Sequence, residues 1–181
     1  TIKEKITELA RSSAAADDTS SKTFTLGFCG DTMTADEGED LESSCEAKII
    51  YNKDLADKVW TDRPALEPSE IWEFPLTSCG RTRDEKLAAV RSEMAAKGAD
   101  ILLITDLMET AWLLDLRASD IQNTPVFYSY TIIKKDACYL FTLPGALTAD
   151  IEELLKSSGI TCLNYSEVSD EQIGRASCRE R

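Results

Sequence analysis

DLMETAWLLDLRASDIQNTPVFYSY, residues 106–130, changes its period twice within one short span. Leu107, Ala111 and Leu114 recur at helical spacing, with Trp112 beside them. Residues 116–120, LRASD, break that period. Asn123, Thr124 and Pro125 make a turn, because Pro125 has no N–H and pushes Thr124 away from the α region. Residues 126–130, VFYSY, resume as a β-branched and aromatic strand. A helix, a polar corner and a buried strand read as the edge of a site on an α/β sheet. Arg117 and Asp120 stand at that corner and are its candidate site residues, with Asn123 and Trp112 flanking them. The plainer reading of Arg117 and Asp120 is a local Arg–carboxylate pair, or an Asp120 that bonds its own backbone. The sharper one is a ligand-facing role.

The pattern continues on both sides. Upstream, Thr82 followed by Glu85 is a capping-box signature for a helix over 82–96, and Gly98 suits its C-cap. Leu87, Val90 and Met94 would face the core, leaving Lys86, Arg91 and Lys97 on the opposite, solvated face. Residues 100–105, DILLIT, are nearly all apolar and predict a strand buried on both faces. Downstream, strands over 126–134 and 137–143 join through Lys135 and Asp136 as a hairpin. A helix over 148–157 and a strand over 160–165 complete the pattern. The fold class is α/β, a mixed β-sheet flanked by helices.

Residues before 76 carry weaker signals. A helix over 2–11 is followed by a small, polar loop over 12–22. A strand over 23–28 precedes a helix over 34–46, where Thr34 and Glu37 repeat the capping-box spacing. A strand over 47–51 and a short helix over 52–60 follow. Strand, helix, strand is the order expected at the close of an α/β domain whose opening strands are missing. Pro64, Pro68 and Pro75 keep 61–75 extended as a linker, and Trp60 and Trp72 are expected to pin it by packing. The expected organisation is 1–60 as the C-terminal part of a first domain, 61–75 as linker and 76–172 as a truncated second domain. Residues 173–181, IGRASCRER, read as translated sequencing adapter rather than protein, which makes the ends of the chain arbitrary.

Composition excludes several classes. The net charge of −13 opposes nucleic-acid binding, which needs a basic surface. Removing the three Arg and one Glu of the tail takes it to −15. No apolar run approaches the length of a membrane span. The six cysteines, at 29, 45, 79, 138, 162 and 178, have no CxxC spacing, and there is no histidine, so a zinc site is not expected. Unpaired cysteines in strands behave as small hydrophobes and suit a reducing, cytoplasmic setting. The acidic run 31–42, DTMTADEGEDLE, fails the calcium-loop pattern, because Met33 and Ala35 fall where oxygen ligands are required. Phosphate-cradling glycine loops and nucleophile-elbow motifs are absent.

The residues Ala111, Trp112, Leu113 and Leu114, then Leu116, Arg117, Asp120, Asn123, Pro125, Val126 and Phe127, resemble a pattern in the second domain of three-domain Xaa-Pro aminopeptidases, of the creatinase/prolidase superfamily. Thr61, Asp62, Arg63 and Pro64 resemble that family's inter-domain linker, with Trp60 as its aromatic. Gly80, Arg81, Lys86, Val90, Arg91, Gly98, Ala99 and Asp100 resemble the helix and strand that open the second domain. The resemblance covers about 24–165. Two positions depart from it: the family's Asn and Gly around Leu-Arg are Asp115 and Ala118 here, which puts the shape of the corner in question.

The resemblance implies a fragment of a metal-dependent enzyme that removes the residue preceding proline at a peptide's N-terminus. The implied catalytic domain holds two divalent metals, usually manganese, through Asp, His and Glu, and two metals polarise a carbonyl and supply hydroxide. Without histidine that ligand set cannot be completed here, so neither a catalytic nor a metal residue is assigned, and the fragment is expected to be inert. Its implied partners are peptides with proline in second position and a second copy in a homodimer. Arg117, Asp120, Asn123 and Trp112 would shape the substrate entrance. The alternative is a catalytically dead creatinase-fold scaffold resembling histone chaperones, which the acidity suits. A flavodoxin-like ligand binder ranks last, for want of a phosphate-cradling loop.

Overall fold

The computed structural model describes residues 2–15, 24–44, 47–53 and 55–168. The chain divides into two compact units, 1–64 and 65–181. The stretch read as a linker therefore splits, 61–64 falling with the first unit and 65–75 with the second. The residues read as adapter, 173–181, lie outside the described residues.

The first unit contains helix α1 (Ile2–Ala15), strand β1 (Thr25–Gly27), helix α2 (Ala35–Ser44), strand β2 (Lys48–Ile50) and a single helical turn α3 (Ala56–Val59). The strands pair in parallel, with α2 as the crossover between them. Thr34 and Glu37 form the expected capping box: the Glu37 carboxylate accepts the Thr34 N–H at 3.0 Å, and the Thr34 hydroxyl accepts the Glu37 N–H at 3.3 Å. Leu41 is the one large side chain buried among the unit's described residues. The helix expected over 52–60 shrinks to α3, and Trp60 is half exposed rather than pinned.

The second unit contains strand β3 (Trp72–Glu73), helix α4 (Leu76–Cys79), helix α5 (Arg83–Ala96), strand β4 (Ile101–Ile104), helix α6 (Leu107–Leu114), strand β5 (Leu116–Arg117), strand β6 (Ser129–Lys134), strand β7 (Cys138–Thr142), helix α7 (Ala149–Ser157) and strand β8 (Ile160–Asn164). The main sheet runs in the order β4-β6-β7-β8. Its first two pairings are antiparallel and the last is parallel, so the sheet is mixed, as its sequence pattern required. Strands β3 and β5 form a separate antiparallel ribbon.

One face of the sheet carries the main core cluster, while Ile132 and Phe141 are buried on the other. The registers place Leu102, Ile104, Ile133, Cys138, Leu140 and Ile160 on the same side. They share a buried cluster with Leu87 and Met94 of α5, Ala111, Leu113 and Leu114 of α6, and Leu155 of α7. Burying each large side chain contributes roughly 1.5–3 kcal/mol. Ile71, 1% exposed, belongs to the same cluster, which is why the residues before β3 are part of this unit.

The strand expected to be buried on both faces is buried on one. Ile101 and Leu103 are 42% and 37% exposed, because the helices pack on the side of Leu102 and Ile104. An all-apolar sequence does not say which of its faces receives a helix. Val126 and Phe127, expected in a strand, are buried as the approach to β6, which begins at Ser129. Trp72 lies in β3 with its ring 6.1 Å from that of Phe74, and it stays 45% exposed.

Candidate functional site

The corner between α6 and β6 is built from a helix with closed ends. The Asp106 carboxylate caps α6 by accepting the N–H groups of Met108 at 2.8 Å and Glu109 at 2.9 Å. At the other end Asp115 takes left-handed backbone angles, φ +54°, and its N–H returns to the Ala111 carbonyl. Asp tolerates this conformation better than most side chains. Ala118 follows in a negative-φ conformation and is buried, so the corner needs no glycine there.

Three cations converge on the C-terminal carbonyls of α6. Arg117 Nη1 donates to the Ala111 carbonyl at 2.6 Å and to that of Leu116 at 2.8 Å. Lys86 Nζ donates to the Trp112 carbonyl, and Arg83 Nε to that of Leu114 at 2.7 Å. The last carbonyls of a helix lack onward backbone partners except where the cap supplies one, as the Asp115 N–H does for Ala111, and the helix dipole places partial negative charge on those of Ala111, Trp112 and Leu114. Lys86 also pairs with the Asp115 carboxylate, and Arg83 Nη2 lies 3.2 Å from Glu73 Oε1. The Arg117 guanidinium sits 4.5 Å from the centre of the Phe74 ring, and Lys86 Nζ lies 5.1 Å from that of Trp112.

Asp120 is a fastener rather than a partner of Arg117. Its Oδ1 accepts the Ser69 N–H at 2.7 Å and the Ser69 hydroxyl at 2.5 Å, and its Oδ2 accepts the Tyr128 N–H at 2.8 Å. Ser69 Oγ in turn accepts the Ser119 N–H at 2.7 Å. One carboxylate thus ties the incoming chain before β3 to the start of β6. Among the described residues no salt bridge joins Arg117 to Asp120, so the local ion pair suggested by their spacing is not made. Asn123 sits at φ +63° in a turn closed by the Thr124 N–H to the Ile121 carbonyl at 3.1 Å. Asn123 and Trp112, the latter 55% exposed, are the solvent-facing members of the four.

Pattern reading missed Lys86, Arg83, Asp115 and Ser69. Lys86, expected on a solvated face, is 3% exposed. A signal was available: Lys86, Val90 and Met94 recur at i, i+4, i+8, so Lys86 borders the apolar stripe. What periodicity could not supply was the end of α6, which is the reason a cation belongs there.

A second concavity, about 380 Å³, lies at the C-terminal ends of β7 and β8 and is lined by Thr142, Gly145, Glu152, Cys162 and Glu167 among others. Burial raises the Cys162 thiol to about 11, so it stays protonated near neutrality. Among the described residues no group of three or more Cys, Asp or Glu could hold a metal ion, and the chain has no His. These residues do not fit a two-metal centre, and no metal-dependent step is assigned to them.

Comparison with known proteins places this corner in a family. The Creatinase/Prolidase N-terminal domain profile matches residues 62–179, a span that takes in the whole corner and runs on into the tail. The chain belongs to that family. The Xaa-Pro aminopeptidase ApepP of Drosophila melanogaster is 35% identical over 142 residues, covering 76% of this chain and 23% of that protein. Xaa-Pro aminopeptidase 2 of Homo sapiens is 35% identical over 138 residues, covering 72% and 20%, and aminopeptidase P2 of Arabidopsis thaliana is 31% identical over 142 residues, covering 75% and 20%. The chain therefore spans about a fifth to a quarter of the length of these relatives. The crystal structure of an X-prolyl aminopeptidase from Caenorhabditis elegans, described as a cytosolic enzyme with a di-nuclear active site, superposes with a TM-score of 0.73 at 24% identity, over 84% of this chain and 26% of that one. At that identity the likeness establishes the fold: a mixed sheet with flanking helices, as the sequence pattern indicated.

Proposed function

We propose that this chain is a non-catalytic N-terminal part of a metal-dependent Xaa-Pro aminopeptidase, and that the α6–β5 corner helps shape the substrate entrance of the whole enzyme. The observation that carries this reading is the family match across the corner, joined to relatives at 31–35% identity that are named as aminopeptidases. The two divalent metals, manganese by the family's habit, belong to a catalytic domain outside these residues. The whole enzyme is a cytoplasmic homodimer acting on peptides with proline in second position.

Within that reading the four corner residues divide their work. Trp112 and Asn123 face solvent and are the ones able to touch a peptide. Arg117 and Asp120 are positioning residues, since each spends hydrogen bonds on fixing backbone around them. In the full-length protein, Trp112→Ala should raise KM for an X-Pro peptide severalfold while kcat and Tm stay near wild type. An unchanged KM would remove the entrance role. The isolated 181-residue chain, given manganese and a Gly-Pro-type peptide, should show no hydrolysis, and measurable turnover would contradict its assignment as non-catalytic.

The net charge of −13 favours a second reading, a catalytically dead scaffold for a basic partner. Full-length protein that binds histones and cleaves no X-Pro peptide in the presence of manganese would decide for it.

A further inference from the structure

We propose that the outer face of α6 docks the part of a peptide substrate that follows the proline, and that it selects peptides carrying Lys or Arg there, a specificity that rests on the reading of this corner as a substrate entrance.

The surface is apolar and half open. Met108 and Trp112 stand four residues apart on α6, so they share one helix face, and they are 61% and 55% exposed. Glu109, three residues before Trp112, is exposed beside them. The β3–β5 ribbon adjoins this helix. Its register sets Trp72 opposite Arg117, and Phe74, two residues on from Trp72, shares their face. Arg117 links ribbon to helix, lying over the Phe74 ring while donating to the Ala111 carbonyl. Exposed apolar clusters mark binding surfaces, and tryptophan is among the side chains that most often anchor a partner.

Charge decides what the surface takes. The cations of this corner are turned inward: Arg83 and Lys86 are buried, and both donate, like Arg117, to carbonyls at the end of α6. The carboxylates are turned outward. Asp106 and Glu109 are exposed on α6, and Glu73 is exposed next to Trp72 in the ribbon. The exposed Arg81 lies beside Glu85. A ligand approaching Trp112 therefore meets carboxylates and an indole, whose π face attracts cations. Lys86 Nζ, 5.1 Å from the centre of that ring, already uses this attraction from the buried side. A Lys or Arg side chain suits what remains, its charge against Glu109 and its apolar stem along Met108 and Trp112. An acidic peptide is repelled.

The test titrates the 181-residue chain with the peptide Gly-Pro-Lys-Lys-Lys-Gly, and with its counterpart carrying Glu for Lys, while NMR follows the indole N–H signals. The Lys peptide should shift the Trp112 signal and leave that of Trp60, in the first unit, in place. The Glu peptide should shift neither. Glu109→Lys should weaken binding of the Lys peptide by about three- to tenfold, the scale of an exposed ion pair turned repulsive. Added salt should weaken it in the wild type. A Trp112 signal that does not move overturns the proposal, and so does undiminished affinity in Glu109→Lys. A Trp60 signal that moves equally also overturns it, because the attraction would then be to the overall negative charge. Hydrolysis is scored on the full-length protein with manganese, where KM should be severalfold lower for the Lys peptide than for the Glu peptide. Cleavage of both with equal KM keeps the peptidase reading and overturns this specificity. A Trp112 shift with no cleavage of either supports the basic-peptide surface and removes the peptidase reading.

Discussion

Asp115 holds left-handed backbone angles, closes α6 and neutralises a buried Lys86. Removing one partner of such a pair leaves an uncompensated charge in the core. Lys86→Met should therefore destabilise the second unit by about 3–5 kcal/mol in urea unfolding, and Lys86→Met with Asp115→Asn should recover much of that loss, since Asn keeps the left-handed turn. A double variant as unstable as the single one would mean that the Trp112 carbonyl, not Asp115, is the important partner. Asp120→Ala frees three donors at once and should cost at least the ~1.5–3 kcal/mol of one hydrogen bond to a charged group. At this scale the sequence showed which polar residues were unusual, Arg117 and Asp120 among them. It could not show their partners, because Ser69 is far from Asp120 along the chain and Arg83 and Lys86 are far from α6.

Helix α5 was the most legible element, because its start and stop are both local. Thr82 and Glu85 make a reciprocal capping box. Past its end, Gly98 at φ +66° lets the Ala99 N–H reach the Met94 carbonyl at 2.9 Å, closing a Schellman motif. Thr82→Ala should cost about 1 kcal/mol. The hydrogen bonds from Thr82 hold the Glu85 carboxyl below the ordinary glutamate range. A carboxyl depressed by folding stabilises fully above its unfolded pKa, and the contribution fades as pH falls through its lower folded value. Wild type and Glu85→Gln should thus converge in stability as the solution is acidified through that window, which urea titrations at several pH values would show. Strand β4 was legible in type and not in burial: Ile133→Ala, in the neighbouring strand β6 on the core face, should cost about 2–5 kcal/mol, whereas Leu103→Thr on the exposed side of β4 should change the Tm of the 181-residue chain little.

Across the whole molecule the two units differ in how much apolar surface they bury. The second shares one continuous cluster among α5, α6, α7 and the sheet, while in the first Leu41 is the one large side chain buried among the described residues, beside a sheet of two short strands. Chemical unfolding should proceed in two steps, the first unit at lower urea, and Leu41→Ala should move that step alone. A single transition shifted as a whole by Leu41→Ala would show that the units melt together.

The sequence alone determined the order of the longer helices and strands, though not β3, α4 or β5, together with the caps of α2 and α5, the hairpin and the family, because these are written in spacings of a few residues. Tertiary structure decided which face of β4 is covered, that Lys86 is buried and that Asp120 binds Ser69 rather than Arg117. Those outcomes depend on groups brought together from distant parts of the chain, where a carbonyl at the end of one helix, and not any local pattern, sets what a charged side chain must do.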